Sequence, residues 1–187
     1  MTVHVFGASL ANSQATLAAI TASLAESSEK HTAPGKPIAD WMRLIAGAGV
    51  SSSDAVVVIE TGGTGIPTPQ QVQEADRKLW ATGARDVRWV VFTDWPDTPV
   101  RDKRRATRDI VGANARKVIQ LPEPSISKLT SDGVHFIGAG YTEMGTAIAN
   151  ALRHDASSGR RGLSPVTKVL MVGSVAAVSW IFWKVAK

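Results

Sequence analysis

A chain of 187 residues, of which 44% are hydrophobic and 20% charged, has the size and composition of one folded domain with a short appendage. It contains no cysteine, which excludes disulfides and thiolate chemistry, and its four histidines are scattered along the sequence, so we do not expect a structural metal site. The net charge of +5 lies in residues 151–187, because residues 1–150 carry 15 basic and 15 acidic side chains, and this distribution argues against nucleic-acid binding.

The first element along the chain is a predicted strand. Val3–Phe6 is apolar and rich in β-forming residues, and it does not have the basic and then apolar pattern of a secretory signal. Gly7–Ser9 then forms a tight turn, and Ser13–Glu26 repeats leucine and isoleucine at helical spacing. These residues predict a strand, a loop and a helix.

The remaining elements continue this alternation. A polar stretch, 27–36, follows the first helix. The later predictions, in chain order, are a helix over Ile38–Ala48, a buried strand over Ala55–Glu60, a helix over Thr68–Thr82, a strand over Val87–Thr93, a helix over Arg101–Arg116, a strand over Val118–Leu121 and a helix over Gly140–Leu152.

Strands that alternate with helices predict a three-layer α/β/α sandwich with a parallel central sheet. Ligand sites in such sheets lie at the carboxyl ends of the strands. Ser9, the loop Gly62–Gly65 and the segment before the last helix all follow predicted strands. We therefore expect these three regions to meet at one edge of the sheet.

The strongest chemical signal is the stretch Ser131–Phe136, which contains Asp132 and His135 and is followed by Gly140 and Tyr141. A spacing of Asp-x-x-His places both side chains on one turn, so that the carboxylate can orient the imidazole while the other ring nitrogen faces a nucleophile. This block resembles the final conserved block of the SGNH, or GDSL-like, hydrolases. The resemblance implies that Asp132 and His135 belong to a catalytic triad.

The beginning of the chain contains a matching partner. Phe6-Gly7-Ala8-Ser9-Leu10 resembles the Gly-Asp-Ser-Leu block of the same family, with Ala8 at the position of the aspartate. The resemblance implies that Ser9 is the nucleophile, which His135 would activate. Taken without His135, Ser9 is also a good candidate for the N-cap of the first helix.

The family provides oxyanion donors from two further blocks, a glycine after the second strand and an asparagine after the third. The resemblance implies an oxyanion hole formed by the Ser9 backbone amide, Gly35 and Thr64, with Thr64 at the position of the asparagine. The glycines of the Gly62–Gly65 loop are not followed by the Lys-Ser or Lys-Thr of a phosphate-binding loop, so nucleotide binding is disfavoured.

The resemblance covers residues 1–153 and implies a cofactor-independent serine esterase. Its substrates would be carboxylic esters, including O-acetyl groups on cell-envelope carbohydrate. Because Ala8 and Thr64 differ from the family pattern, an alternative is a catalytically weak or inactive protein of the same fold that serves a membrane assembly, such as a membrane-containing virion.

Other polar and aromatic residues have simpler interpretations. His4, in a strand, and His31, in a polar loop, are expected to be structural or solvated. The run Lys103–Arg105 is expected to form a solvated helix face. Trp95, beside Pro96, is a candidate for lining the site.

The C-terminal region predicts a membrane anchor. Residues 154–165 are interpreted as a basic, flexible linker, and residues 166–187 as a single transmembrane helix. Val166–Val185 is long enough to cross a hydrocarbon core, at about 30 Å as a helix, and the interior from Val169 to Trp183 carries no charge. The alternative is a helix that packs against the domain or lies in the membrane interface. The anchor would make the protein membrane-associated, with lipid as a partner.

Overall fold

The computed structural model describes residues 1–62 and 65–158. Within these residues five strands alternate with five α-helices. The elements are β1 (Thr2–Gly7), α1 (Gln14–Leu24), β2 (Ser27–Thr32), α2 (Ile38–Trp41), β3 (Ala55–Ile59), α3 (Pro69–Ala81), β4 (Asp86–Phe92), α4 (Arg101–Asn114), β5 (Val118–Leu121) and α5 (Gly138–Ser158). Short 3₁₀ helices cover Leu10–Asn12, Met42–Gly47 and Ile126–Lys128.

The five strands form one parallel sheet in the order β2-β1-β3-β4-β5. Because crossover connections are right-handed, the connection from β1 to β2 and the connections that run from β3 to β5 lie on opposite faces. The side chains of β3 alternate between these faces, and all five of its residues are buried. The sheet and its flanking helices confirm the predicted α/β architecture.

Large side chains fill the layer between the sheet and α2, α3 and α4. Trp41 and Trp89 are fully buried there, with ring centroids 6.1 Å apart. The indole Nε1 of Trp89 donates to Asp76 Oδ1 at 3.0 Å, so this buried polar group is satisfied. On the other face, α5 packs closely on α1, because a Cβ added at Gly145 would lie 2.5 Å from the carbonyl oxygen of Thr16.

Strand β2 corrects the sequence prediction, which treated residues 27–36 as a polar stretch. Ser27 to Thr32 pair in parallel register with Thr2 to Gly7, and β2 forms one edge of the sheet. An edge strand faces water along one side, so a polar sequence can form it. His31 therefore lies in a strand, and its ring stacks on Phe6 with the centroids 4.7 Å apart.

The helix boundaries also differ in places from the predicted ones. Thr68 caps α3 in a reciprocal capping box with Gln71, and Pro69 occupies its first turn as expected. The predicted helix over Ile38–Ala48 is one α-helical turn followed by a 3₁₀ helix.

The last helix, α5, continues to Ser158, five residues into the segment predicted to be a linker. Residues Met1–Ala151 form one compact unit. Among the residues that the structure describes, no helix combines the length and the apolar character that a membrane crossing requires. The predicted transmembrane helix, 166–187, lies outside the described residues.

Candidate active site

The residues singled out from the sequence follow the carboxyl ends of the parallel strands. Ser9 comes two residues after β1, Gly35 three residues after β2, and Gly62, which begins the glycine-rich loop, three residues after β3. The chain leaves β1 toward β2 on one side and reaches β3 on the other, so the topological switch point lies between β1 and β3. Crevices of open α/β sheets form at such points.

Ser9 does not cap the first α-helix. That cap is Ser13, whose hydroxyl accepts a hydrogen bond from the Thr16 amide at 3.3 Å. Ser9 instead precedes the 3₁₀ turn Leu10–Asn12 and makes no capping hydrogen bond with its side chain. Ser9 is half-buried, and its hydroxyl therefore does not serve as a helix cap.

Gly7 brings the Ser9 loop close to the end of β3. Its φ is +146°, and a Cβ at this position would lie 2.4 Å from the Ile59 carbonyl oxygen and 2.9 Å from Ala11 Cβ. The Gly7 carbonyl also accepts from the Ala33 amide at 3.1 Å, which joins the ends of β1 and β2. Only glycine fits this approach of three chain segments.

Asp132 and His135 are in direct contact. His135 Nδ1 lies 2.7 Å from Asp132 Oδ2. Hydrogen bonds from the Thr130 hydroxyl, from the His135 ring and from the Val134 and His135 amides hold the pKa of Asp132 well below its usual range. Since an ionised carboxylate only accepts hydrogen bonds, Nδ1 must donate, and in the neutral imidazole Nε2 then keeps its lone pair. This tautomer is the one that a general base requires.

The aspartate also shapes the loop that carries the histidine. Asp132 Oδ1 accepts from the Val134 amide at 2.8 Å and from the His135 amide at 3.1 Å, which closes an Asx turn. An antiparallel bridge between Leu129 and Phe136 closes the base of this loop, residues 129–136, which we call the histidine loop. The Asp-x-x-His spacing therefore serves loop geometry and imidazole orientation together.

Trp95 supports this loop through a buried hydrogen bond. Its ring is fully buried, and its Nε1 donates to the Gly133 carbonyl at 3.0 Å. Gly133 has φ +64°, and a Cβ there would lie 2.9 Å from Thr98 Cβ. Trp95 thus supports the histidine loop from below.

Arg104 joins the loops at the carboxyl ends of β3 and β4 to the histidine loop. Its guanidinium donates to the carbonyl oxygens of Thr61 at 3.1 Å and Val134 at 2.9 Å, and it lies 4.0 Å above the Trp95 ring. The side chain is 5% exposed, so the expectation that Lys103–Arg105 forms a solvated face is wrong at its central residue. Burial lowers the pKa of Arg104 to about 10, so it remains charged at neutral pH.

A buried carboxyl group accompanies this arginine. Glu60 accepts from Trp41 Nε1 at 3.1 Å and from the Gly62 amide at 3.0 Å. Burial raises the pKa of Glu60, whereas these two hydrogen bonds and the positive charge of Arg104 oppose the rise. Glu60 and Arg104 therefore form the buried polar centre behind the loops.

The helices that follow Ser9 and His135 are directly hydrogen-bonded. Thr16 Oγ1, in the first turn of α1, donates to the carbonyl oxygen of Tyr141, in the first turn of α5, at 3.2 Å. Each residue lies six or seven positions beyond the loop residue in question. The first turns of the two helices that follow these loops are therefore in direct contact.

Gly35, a candidate oxyanion donor, lies in a turn that follows β2. Gly35 has φ +69° and is the third residue of the turn Ala33–Lys36, which the Lys36 amide closes on the Ala33 carbonyl at 3.1 Å. A glycine at this position is typical of a type II turn after proline. Thr64 lies outside the described residues. Within the described residues the Ser9 hydroxyl forms no hydrogen bond, and therefore none with His135.

Sequence reasoning missed Arg104 as a site residue because a charge run is normally solvated. A signal was present in its spacing. Arg104, Thr107 and Val111 are the buried residues of α4, and their intervals of three and four residues define one helix face. A charged residue that shares a helix face with buried residues is expected to be buried itself and to have a buried polar partner.

The fold has a counterpart among solved structures. The chain is similar to the structure of a protein described as "a putative SGNH hydrolase" from Slackia heliotrinireducens, with a TM-score of 0.61 and 17% sequence identity over 81% of this chain and 98% of that one. A likeness at this identity concerns the fold, and it supports the SGNH-like architecture expected for residues 1–153. No family model matches the sequence, and no curated protein matches it.

Proposed function

We propose that the chain is a serine ester hydrolase in which Ser9 is the nucleophile, His135 the general base and Asp132 its orienting carboxylate. The observation that carries the proposal is the 2.7 Å contact between His135 Nδ1 and Asp132 Oδ2, which leaves Nε2 as the basic nitrogen. Ser9 supports it, because its hydroxyl is not used as a helix cap. Hydrogen bonds between nucleophile and base are often long without substrate and tighten when substrate binds.

The reaction follows from these roles. His135 Nε2 takes the Ser9 proton as Oγ attacks the ester carbonyl carbon, and the carbonyl oxygen becomes an oxyanion. His135 then gives the proton to the leaving alcohol oxygen, and an acyl-serine remains. A water molecule attacks this acyl group while His135 accepts its proton, and the acid is released as the proton returns to Ser9.

The oxyanion would be held by the backbone amides of Ser9 and Gly35 and by the Thr64 hydroxyl. Thr64 offers one donor on a shorter side chain than asparagine. Loss of one such donor typically slows turnover by roughly 100- to 1000-fold, so we expect a slow enzyme.

Esters on a large carrier are the substrate class that we favour, in particular O-acetyl groups on cell-envelope carbohydrate. The side chains of His135 and Asp132 are 39% and 48% exposed, so the dyad is open to solvent and a bulky polymer can approach it. No metal or cofactor takes part in this scheme.

A second candidate function is a binding protein that keeps the fold without efficient catalysis. Ala8 and Thr64 favour it, as does the lack of a hydrogen bond between Ser9 and His135 within the described residues. Reactivity toward a fluorophosphonate separates the two, because the probe labels only an activated serine.

In that experiment we expect the full-length protein to be labelled once, with the adduct at Ser9 by peptide mass spectrometry. Ser9→Ala and His135→Ala should both abolish labelling. Ser131→Ala is the matched control, since Ser131 is an exposed serine beside Asp132, and it should be labelled normally. Absence of labelling would favour the binding protein, and an adduct on another serine would refute the assigned nucleophile.

We also propose that residues 166–187 anchor the protein in a membrane. Full-length protein should then float with liposomes in a density gradient. Replacing both Val175 and Val178 by Asp in the uncharged interior costs about 5–7 kcal/mol of insertion and should leave the protein at the bottom. Flotation of the double variant would contradict a spanning helix, and a variant with Ser164→Asp, outside the segment, serves as the control.

A further inference from the structure

A second cluster of polar side chains lies on β1 and β2, away from the dyad. His4 Nδ1 is 2.9 Å from His31 Nε2. Glu29 Oε2 lies 3.9 Å from the first nitrogen and 4.0 Å from the second. The two histidines, which are 27 residues apart and were expected to be structural or solvated, thus converge with one carboxylate.

The register of the two strands produces this convergence. His4 pairs with Glu29, and Phe6 pairs with His31, so the three polar residues occupy alternate positions on one face of the parallel pair. One ligand atom from each of them can be chosen so that all three atoms lie within 4.8 Å of one another. Regular strand pairing therefore holds the cluster together.

Neighbouring groups hold both rings in place. His4 is 3% exposed, and its Nε2 lies 3.5 Å from Asp54 Oδ2. Asp54 is itself fixed by the Thr2 amide at 2.7 Å and the Ser51 hydroxyl at 2.6 Å. His31 stacks on Phe6. A carboxylate behind the far nitrogen of an imidazole is the usual outer-shell partner of a metal-binding histidine.

We propose that His4 Nδ1, His31 Nε2 and the Glu29 carboxylate bind a divalent transition-metal ion, Zn²⁺ being the species that this donor set suits best. Bonds of about 2.0–2.1 Å place tetrahedral ligand atoms about 3.3 Å apart, and the three observed separations lie on either side of that value. The Glu29 side chain is 59% exposed, so it can move to shorten the two longer separations, which join its carboxylate to the ring nitrogens. Two imidazoles and one carboxylate leave a fourth position for water.

The 2.9 Å contact also has a metal-free explanation, which makes a different prediction. In this explanation the His4 proton is on Nε2, which faces Asp54, and His4 Nδ1 accepts from His31 Nε2–H. Metal binding requires His31 to carry its proton on Nδ1 instead. The ion would thus convert the His31 tautomer, and it would link β1 to the edge strand β2.

The test is titration of full-length protein in detergent with Zn²⁺ alone. We expect one ion per chain by calorimetry, and an unfolding midpoint that rises by about 5–10 °C at a hundredfold excess over Kd. Nitrogen NMR should show shifts of the His4 and His31 rings while those of His135 and His154 stay in place.

Variants assign the ligands. Glu29→Gln changes an exposed group without disturbing the core, and it should weaken binding at least tenfold; His31→Ala should weaken it further. Asp54→Asn should cost roughly 10- to 100-fold through the orientation of His4. Glu74→Gln, an exposed carboxylate on α3, is the matched control and should bind as wild type.

The outcomes decide the proposal independently of esterase activity. Zinc binding that is lost in His135→Ala but kept in Glu29→Gln would place the ion at the dyad and overturn the site on β1 and β2. Lack of saturable binding at millimolar Zn²⁺, with the His31 proton remaining on Nε2, would establish the metal-free hydrogen bond in its place.

Discussion

Ser9→Ala is expected to lower the turnover of a short-chain chromogenic ester by about 10⁴- to 10⁶-fold, to the rate that substrate binding and oxyanion donors alone sustain. The hydroxyl is the attacking atom in the proposed reaction, so its removal leaves no nucleophile to form the acyl-serine. Asp132→Asn should cost about 10³- to 10⁴-fold, because an amide can present its nitrogen to His135 and favour the wrong tautomer.

Unfolding measurements are needed beside the kinetics, since Asp132 also holds two backbone amides of its loop. Asn can keep those two contacts through its carbonyl oxygen, so the variant should lose activity far more than stability. Ser131→Ala is again the matched control and should retain wild-type turnover. Equal rates for wild type and Ser9→Ala would exclude the mechanism.

Replacing Arg104 is expected to have the largest effect on stability. Arg104→Met should lower the free energy of unfolding by about 3–5 kcal/mol, the usual cost of removing one partner from a buried charged network. The Thr61 and Val134 carbonyls lose their donor, and Glu60 loses the positive charge near its buried carboxyl. Urea unfolding of the purified variants measures the effect.

Arg105→Met provides the comparison on the same helix. Arg105 makes a bidentate contact with Asp94, at 2.8 and 2.9 Å, but its side chain is 40% exposed. Exposed ion pairs contribute little, so this variant should be far less destabilised. Arg104→Lys should resemble Arg104→Met, because an ammonium cannot reach two carbonyls and cover an indole ring at once. Similar stabilities for the Arg104 and Arg105 variants would refute the buried role of Arg104.

The central strands were predictable because burial on both faces leaves a continuous apolar run. Ala55–Ile59 is such a run, and the structure places it in the middle of the sheet. β2 could not be found in this way, since its pairing depends on backbone hydrogen bonds to β1 and its side chains are Ser, Glu, Lys, His and Thr. Hydropathy detects a buried face and does not detect an edge.

The residues of the candidate site differ in the same way, since local contacts could be predicted from the sequence and long-range contacts could not. Asp132 and His135 were predictable because their contact is local, spanning three residues. Arg104 reaches carbonyls 43 and 30 positions away, so its partners are set by tertiary structure alone. The convergence of His4 and His31 is likewise a product of strand register, which the polar sequence of β2 concealed.

The hydrogen bond between Thr16 and Tyr141 spans 125 positions of the chain. A polypeptide that has left the ribosome only as far as β5 contains all five strands of the sheet, but it lacks the dyad and the helix that packs on α1. Under the proposed mechanism, hydrolysis should consequently begin only when synthesis of this unit is nearly complete. Ester cleavage would then indicate that the fold is complete, and an unfinished chain would not hydrolyse the esters around it.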